Sequence, residues 1–305
     1  MLSLKKYAAI DIGSNAVRLL ISNIIEQEGQ PTLFKKSSLV RVPIRLGTDV
    51  FLTNKISDEN TERLIDTMKA FKLLMKSHRV VKYKACATSA MRESANGKEV
   101  VDLVLKESGI QIDVIAGEEE AAIIAATDLN KFIDSSKTYL YVDVGGGSTE
   151  FTVIHEGKSV TSKSFKIGTV RLLNNMVPDE SWLELEEWIK ANARPYEKID
   201  VIGSGGNINK IFKVSGKMVG KPLSYFYLTS YFNTLQSYSY EERITVLDLN
   251  QDRADVIIPA MRIYLSSMKW SGAKNIYVPK IGLSDGIIKS IYYDTVSSTT
   301  LNKVS

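Results

Sequence analysis

The chain has 305 residues, 44% of them hydrophobic and 24% charged with the signs mixed, which excludes a disordered chain and leaves room for about one to three globular domains. A single cysteine, Cys86, excludes a disulfide framework within the chain and a cysteine-based zinc site, and two histidines, His78 and His155, exclude a His-rich metal centre. The formal charge of +4 suits an anionic ligand but carries little weight alone.

Met1 to Lys6 lacks the apolar core of a signal peptide, and no run of about 18 apolar residues follows, so a cytoplasmic chain with no membrane span is expected. Tyr7 to Ile12 and Val17 to Ile25 read as strands joined by a turn, and Thr32 to Arg45 continues as sheet. Ser57-Asp58-Glu59 opens a helix with Leu64, Ile65, Met68, Phe71, Leu74 and Met75 on one face. Val81 to Ala87 reads as a strand, Lys98 to Glu107 as a helix stopped by Gly109, Ile110 to Ile115 as a strand, and Gly117 to about Leu129 as a helix.

The pattern then restarts. Thr138 to Val144, Glu150 to Ile154 and Lys158 to Phe165 are expected strands, as are Asp200 to Ile202 and Asn275 to Val278. Helices fit Thr169 to Met176, Ser181 to Ala193, Asn207 to Val214, Leu228 to Tyr238, Ala254 to Met268 and Ser284 to Tyr292, before a frayed polar tail from Ser297 to Ser305. Tyr7-Ala8-Ala9-Ile10-Asp11-Ile12-Gly13 is echoed by Tyr139-Leu140-Tyr141-Val142-Asp143-Val144-Gly145. Two α/β halves on one plan, facing each other across a cleft, are the expectation.

The strongest local signal is Asp143-Val144-Gly145-Gly146-Gly147-Ser148-Thr149-Glu150. Three glycines permit positive φ and let successive amides point into one concavity that takes phosphate oxygens, with the Ser148 and Thr149 hydroxyls as further donors. Asp143 and Glu150 bracket the loop with hard carboxylate oxygens suited to Mg²⁺. The bland alternative is a flexible glycine turn with two incidental acids. Asp11-Ile12-Gly13-Ser14-Asn15 is the same device with fewer glycines, and Gly203-Ser204-Gly205-Gly206-Asn207 lies between a strand and a helix, where an anion site and a tight capped turn are equally good readings.

Glu118, Glu119 and Glu120 fill the first turn of a helix, where macrodipole stabilisation alone explains acids. Successive helical residues lie about 100° apart, so only one or two of the three can face a site. With almost no histidine, a glutamate is the natural group to activate water. Arg92, Arg18 and Arg171 offer planar forks to phosphate, although each alone is more often structural. The tyrosine cluster at 225 to 240 reads as aromatic packing, and no nucleic-acid partner is expected.

Taken in order, Ala9-Ile10-Asp11-Ile12-Gly13-Ser14-Asn15, Ala87-Thr88-Ser89-Ala90-Met91-Arg92, Gly117-Glu118-Glu119-Glu120-Ala121, Val142 to Glu150, Gly168-Thr169-Val170-Arg171-Leu172 and Gly203-Ser204-Gly205-Gly206 resemble the motifs of the exopolyphosphatase and guanosine pentaphosphate phosphohydrolase family. The resemblance covers nearly the whole chain. It implies two RNase H-like domains of the actin-like, sugar-kinase-like ATPase fold, 1–128 and 129–305, each with a mixed five-stranded sheet, an active site between them, and a last helix, 284–296, returning to the first.

The resemblance further implies that Glu120 activates the attacking water. It implies that Asp143 and Glu150, with Asp11, hold Mg²⁺ or another divalent cation, with K⁺ a further candidate ion. Phosphates would be gripped by Ser14, Asn15, Arg18, Arg92, Gly145, Gly146, Gly147, Ser148, Thr149, Gly205, Gly206 and Asn207. The expected activity is release of orthophosphate from the end of inorganic polyphosphate. Hydrolysis of guanosine pentaphosphate is the near rival. A small-molecule kinase and a non-enzymatic nucleotide-binding or filament-forming protein are the distant ones. The resemblance is compatible with a homodimer. Two segments depart from the family pattern: Asn207 stands where threonine is usual, and Gly282-Leu283-Ser284-Asp285-Gly286 lacks an arginine. The chain looks like the short form without a C-terminal His-Asp domain.

Overall fold

The apolar runs become the strands of two mixed sheets in the computed structural model of the chain, which describes residues 2–125, 127 and 134–301. Two compact units result, Met1–Thr127 with Leu283–Ser305, and Asp128–Gly282. The expected helix end near Leu129 and the boundary at 128/129 lie outside the described residues.

In the first unit, β1 (Leu2–Ile12), β2 (Val17–Gln27) and β3 (Leu33–Val42) form an antiparallel meander. Sheet was expected to run on to Arg45. It stops at Val42 because Pro43 has no N–H for the ladder, and Arg45 turns into the left-handed region (φ 63) to start a short helix, α1 (Leu46–Thr53). Next come α2 (Asp58–Ser77), capped by the Ser57 side chain as its sequence suggests, and β4 (Lys82–Ala87). Then follow α3 (Ser89–Glu93), α4 (Gly97–Ser108) ended by Gly109 at φ 69, β5 (Ile112–Val114) and α5 (Gly117–Ala125). The sheet order is β3-β2-β1-β4-β5, with β4 parallel to β1 and β5 parallel to β4.

The second unit holds β6 (Thr138–Val144), β7 (Thr149–His155), β8 (Lys158–Phe165), α6 (Thr169–Leu173), α7 (Asp179–Asn192), β9 (Ile199–Ser204) and α8 (Gly206–Val214). It continues with β10 (Leu223–Ser224), α9 (Tyr225–Ser237), α10 (Tyr240–Thr245), α11 (Gln251–Ala254), α12 (Ile257–Ser271) and β11 (Asn275–Tyr277). Its sheet has six strands, not the expected five, in the order β10-β11-β9-β6-β7-β8. The extra edge strand β10 is too short to carry a pattern of its own. Leu140, Val142, Phe151, Val153, Leu185, Ile189, Met261, Tyr264 and Met268 meet in one buried core, each large apolar side chain contributing about 1.5–3 kcal/mol. The last helix, α13 (Leu283–Leu301), packs on β1, β4 and α5 and continues well beyond the expected end at Tyr292. Residues 302–305 of the tail lie outside the described residues.

Apart from β10 the two sheets share one plan. A central strand pairs antiparallel with the next strand and parallel with a later one: β1 with β2 and β4, β6 with β7 and β9. Even the register shifts correspond, at Ile21/Ser22 in β2 and Val153/Ile154 in β7. Among the described residues no helix is long and apolar enough to cross a membrane.

Candidate active site

In each unit the turn after the central strand is closed by one backbone bond, Gly13 N to Ala16 O at 3.1 Å and Gly145 N to Ser148 O at 3.0 Å. The first loop then leans on the start of α1. Gly47 N donates to Ser14 O (2.7 Å), Arg45 N to Asn15 O (3.2 Å), and Arg45 Nε to Asn15 Oδ1 (3.4 Å). A Cβ on Gly47 would lie 2.8 Å from both Ser14 Cβ and a Phe51 ring carbon, so only glycine allows this approach. Ser14 is buried in the contact and Asn15 half-buried. Asp11 and Arg18 are directly opposed in β1 and β2, and Arg18 Nη1 donates to Asp11 Oδ2 at 2.7 Å.

The second loop leans on α6 in the same way. Thr169 N donates to Gly145 O (3.0 Å), Val170 N to Gly146 O (2.9 Å), and the buried Arg171 Nε to Gly147 O (2.7 Å). All three glycine carbonyls thus face α6, and among the described residues the amides of Gly146 and Gly147 have no backbone acceptor. That disposition of amides suits an anion. The glycines serve close approach here, not positive φ: none of Gly145, Gly146 and Gly147 is among the described residues of positive φ. A Cβ on Gly168 would fall 2.3 Å from Gly146 O. Thr149 is fully buried and its hydroxyl donates to Ile167 O, so its side chain fastens the loop from beneath.

Asp143 and Glu150 are directly opposed in β6 and β7. Glu150 is 2% exposed and its Oε1 accepts from Ser148 Oγ (2.6 Å) and Ser164 Oγ (3.0 Å). Beside Asp143, at the ends of β6 and β9, lies Gly205 with φ 116. A Cβ there would sit 2.8 Å from Val144 O, 3.3 Å from Tyr264 Oη and 3.5 Å from Asp143 Oδ1. Tyr264 donates its hydroxyl to Ser204 O and takes a backbone hydrogen bond from Val144, bridging β6 and β9 where they part. Burial, with the Asp143 charge second, holds its phenol well above the usual range. Gly206 and Asn207 open α8 immediately after Gly205.

Among the described residues no three His, Cys, Asp or Glu side chains gather as a metal cluster. Asp143 and Glu150 nonetheless fit Mg²⁺, which binds through one or two carboxylates and otherwise keeps water or substrate phosphate oxygens. The two serine hydroxyls orient Glu150.

Of the three glutamates on α5, Glu118 and Glu119 are exposed, whereas Glu120 is half-buried with its Oε2 shut off from solvent. Two contacts fix that helix. Arg92 Nη1 donates to Ile115 O at 2.6 Å just ahead of it. A Cβ on Gly286 would fall 2.3 Å from Ile123 O, so the segment that departs from the family pattern still supplies the glycine against which α5 and α13 meet. Asp285 of that segment pairs with Lys36 at 2.9 Å.

Ser14, Asn15 and Arg18 thus gather at the first loop, and Arg92 and Glu120 beside α5. Asp143, Glu150, the glycine loop and Gly205 gather at the strand ends of the second unit. The sequence reading missed Gly47, Arg45 and Tyr264. Tyr264 reads as one more core position of an apolar helix, and α1 lacks a side-chain cap to announce it.

Two units of this topology, each with a glycine turn after its central strand, are those of the actin-like ATPase fold. Within that class, the chain belongs to the Ppx/GppA phosphatase family, whose model matches residues 25–294. It is 25% identical over 305 residues to exopolyphosphatase 1 of Mycobacterium tuberculosis, covering 93% of this chain and 87% of that one. It is 32% identical over 228 residues to a bifunctional 3-dehydroquinate synthase/phosphatase of Fusobacterium nucleatum, covering 69% of this chain and 34% of the relative, so it spans about a third of that protein's length. The crystal structure of the Aquifex aeolicus Ppx/GppA family member matches it with a TM-score of 0.73 at 25% identity, covering 96% of this chain and 99% of that one.

Proposed function

We propose that the protein is an exopolyphosphatase that releases orthophosphate from the end of inorganic polyphosphate, with Glu120 as the base. The observation that carries this is the selective burial of Glu120 among three consecutive glutamates, on a helix anchored by Arg92 and Gly286. Glu120 takes a proton from water as the water oxygen bonds to the terminal phosphorus. The bridging P–O bond breaks, and its electron pair leaves on the shortened chain. The amides of Gly146 and Gly147 offset charge on the transferred phosphoryl group. Arg18, Arg92, Ser14 and Asn15 hold phosphates, and Gly205, Gly206 and Asn207 add amides at the start of α8. Asp143 and Glu150 would hold a divalent cation, which supplies positive charge against the phosphate oxygens when bound. Polyphosphate is preferred over guanosine pentaphosphate because a relative matched over nearly the full length is an exopolyphosphatase.

Glu120→Gln tests the reading. Orthophosphate release from tripolyphosphate should fall about 10²–10⁴-fold, with thermal midpoint and tripolyphosphate binding unchanged. Release near the wild-type rate removes Glu120 as the base. Parallel assays on guanosine pentaphosphate decide between the two substrates.

A further inference from the structure

We infer that one corner of the second unit, the turn 215–222 between α8 and β10 together with the first turn of α9, docks the protein on an anionic bilayer surface. The inference goes beyond the hydrolase reading and does not rest on it. Its ground is a pairing of charge and exposure that the core does not explain. From Val201 to Tyr240 the chain has four lysines, Lys210, Lys213, Lys217 and Lys221, and no aspartate or glutamate, although acids number 35 among its 305 residues. The helix α9 buries Leu228 and Leu235 yet carries no charged residue, whereas a surface helix ordinarily carries charges on its outer face. Lys210 is engaged with Asp248, whose carbonyl accepts from its Nζ at 2.8 Å. Lys213, Lys217 and Lys221 are exposed. The exposed Lys274 joins them, because Tyr225 N donates to Lys274 O at 2.9 Å.

Apolar side chains stand out among these lysines. Phe226 is 83% exposed, Met218 73%, Val219 61% and Val214 46%. The core takes Phe212, Leu223 and Leu228 from the same passage instead. The turn that presents Met218 and Val219 is tied to itself: Lys221 N donates to Met218 O (3.1 Å), and Lys217 Nζ to Pro222 O (2.7 Å). Asp200, the acid just ahead of the stretch, accepts from Asn275 Nδ2 at 3.2 Å. A partner for this corner must take apolar side chains and positive charge together. An anionic bilayer does so in layers: apolar side chains enter the boundary between headgroups and acyl chains while the ammonium groups stay with the headgroup phosphates. A soluble polyanion would use the lysines but has no place for the aliphatic Met218 and Val219. A second copy would bring the same lysines against one another.

The test is flotation of the full chain with vesicles of phosphatidylcholine alone or mixed with phosphatidylglycerol. The wild-type protein should float with the mixed vesicles and not with phosphatidylcholine alone, and raised salt should weaken the association. Met218→Ser combined with Phe226→Ser should lower partition by at least about tenfold. Lys213→Gln combined with Lys221→Gln should lower it by about tenfold or more. Thermal midpoints should not move, because all four side chains are exposed. Should the apolar double variant unfold, Val219→Ser serves, with an expected loss of about threefold. The proposal is overturned if the wild-type protein ignores both vesicles, if it binds both equally, or if the apolar substitutions leave flotation intact. Binding of tripolyphosphate or a single-stranded oligonucleotide that falls with the lysine pair, while vesicles are ignored, would assign the corner to a soluble polyanion instead.

Discussion

The two glycine hairpins share a backbone and differ in chemistry. Both turns close with the same bond, and both rest their carbonyls on the element that follows the third strand, α1 in one unit and α6 in the other. The side chains are then spent differently. The first hairpin carries an ion pair, Asp11 with Arg18, and the second an acid pair, Asp143 with Glu150. The strand beside the aspartate brings Cys86 in one unit and Ser204 in the other. A common scaffold fixes where groups stand, and a single exchange at matched positions changes the charge that each hairpin carries.

The sharpest way to break this comparison is at the supporting glycines. In Gly168→Ala the new Cβ meets backbone of the loop itself, 2.3 Å from Gly146 O and 2.4 Å from Gly147 C. The loop must shift, so orthophosphate release should drop about a hundredfold and stability by about 3 kcal/mol, read by steady-state assay and urea unfolding. The Thr149→Val variant comes next. Val17 holds the corresponding place in the first hairpin without a hydroxyl, whereas Thr149 donates to the Ile167 carbonyl. Stranding that carbonyl should cost about 1–3 kcal/mol in urea unfolding; no loss would mean the two loops are fastened alike. Gly47→Ala should cost about 1–3 kcal/mol, less than Gly168→Ala, because one of its three close neighbours, the Phe51 ring, can turn aside, whereas Ser14 Cβ and Ser14 O move only with the loop.

The smallest effect concerns pH. Burial pushes the Cys86 thiol up to about 12, against about 8.5 for an unfolded cysteine. Below about 8.5 the thiol is protonated in both states and stability is full. As pH rises from there towards 12, the unfolded chain gains a charge that the native state resists, and stability falls. Cys86→Ser, which copies Ser204 of the other unit, should flatten that alkaline decline. At neutral pH alkylation of Cys86 should proceed only as fast as the protein opens.

Much of this was legible in the residues because it is local. Period-2 runs, Gly109 as a helix stop, the Ser57 cap and the Asp-x-Gly repeat all act within a few positions. The choice of Glu120 among three glutamates came from family likeness; that it alone of the three is half-buried depends on packing that no local pattern announces. What stayed hidden depends on distant partners. Gly47 matters only because α1 reaches Ser14, Gly286 only because α13 meets Ile123, and Tyr264 only because β6 and β9 part beside its hydroxyl. The capping box of α10, Ser239 with Glu242, was written in the sequence and could have been found.

The central claim is end-on hydrolysis of a phosphate chain, and the product pattern tests it directly. Long-chain polyphosphate is incubated with the wild-type protein and Mg²⁺, and the products are resolved by length on a gel beside a free-phosphate assay. The account predicts orthophosphate accumulating from the start, with no internal fragments and no requirement for ATP or an acceptor. Internal fragments, or phosphate appearing only on an added acceptor, would contradict it.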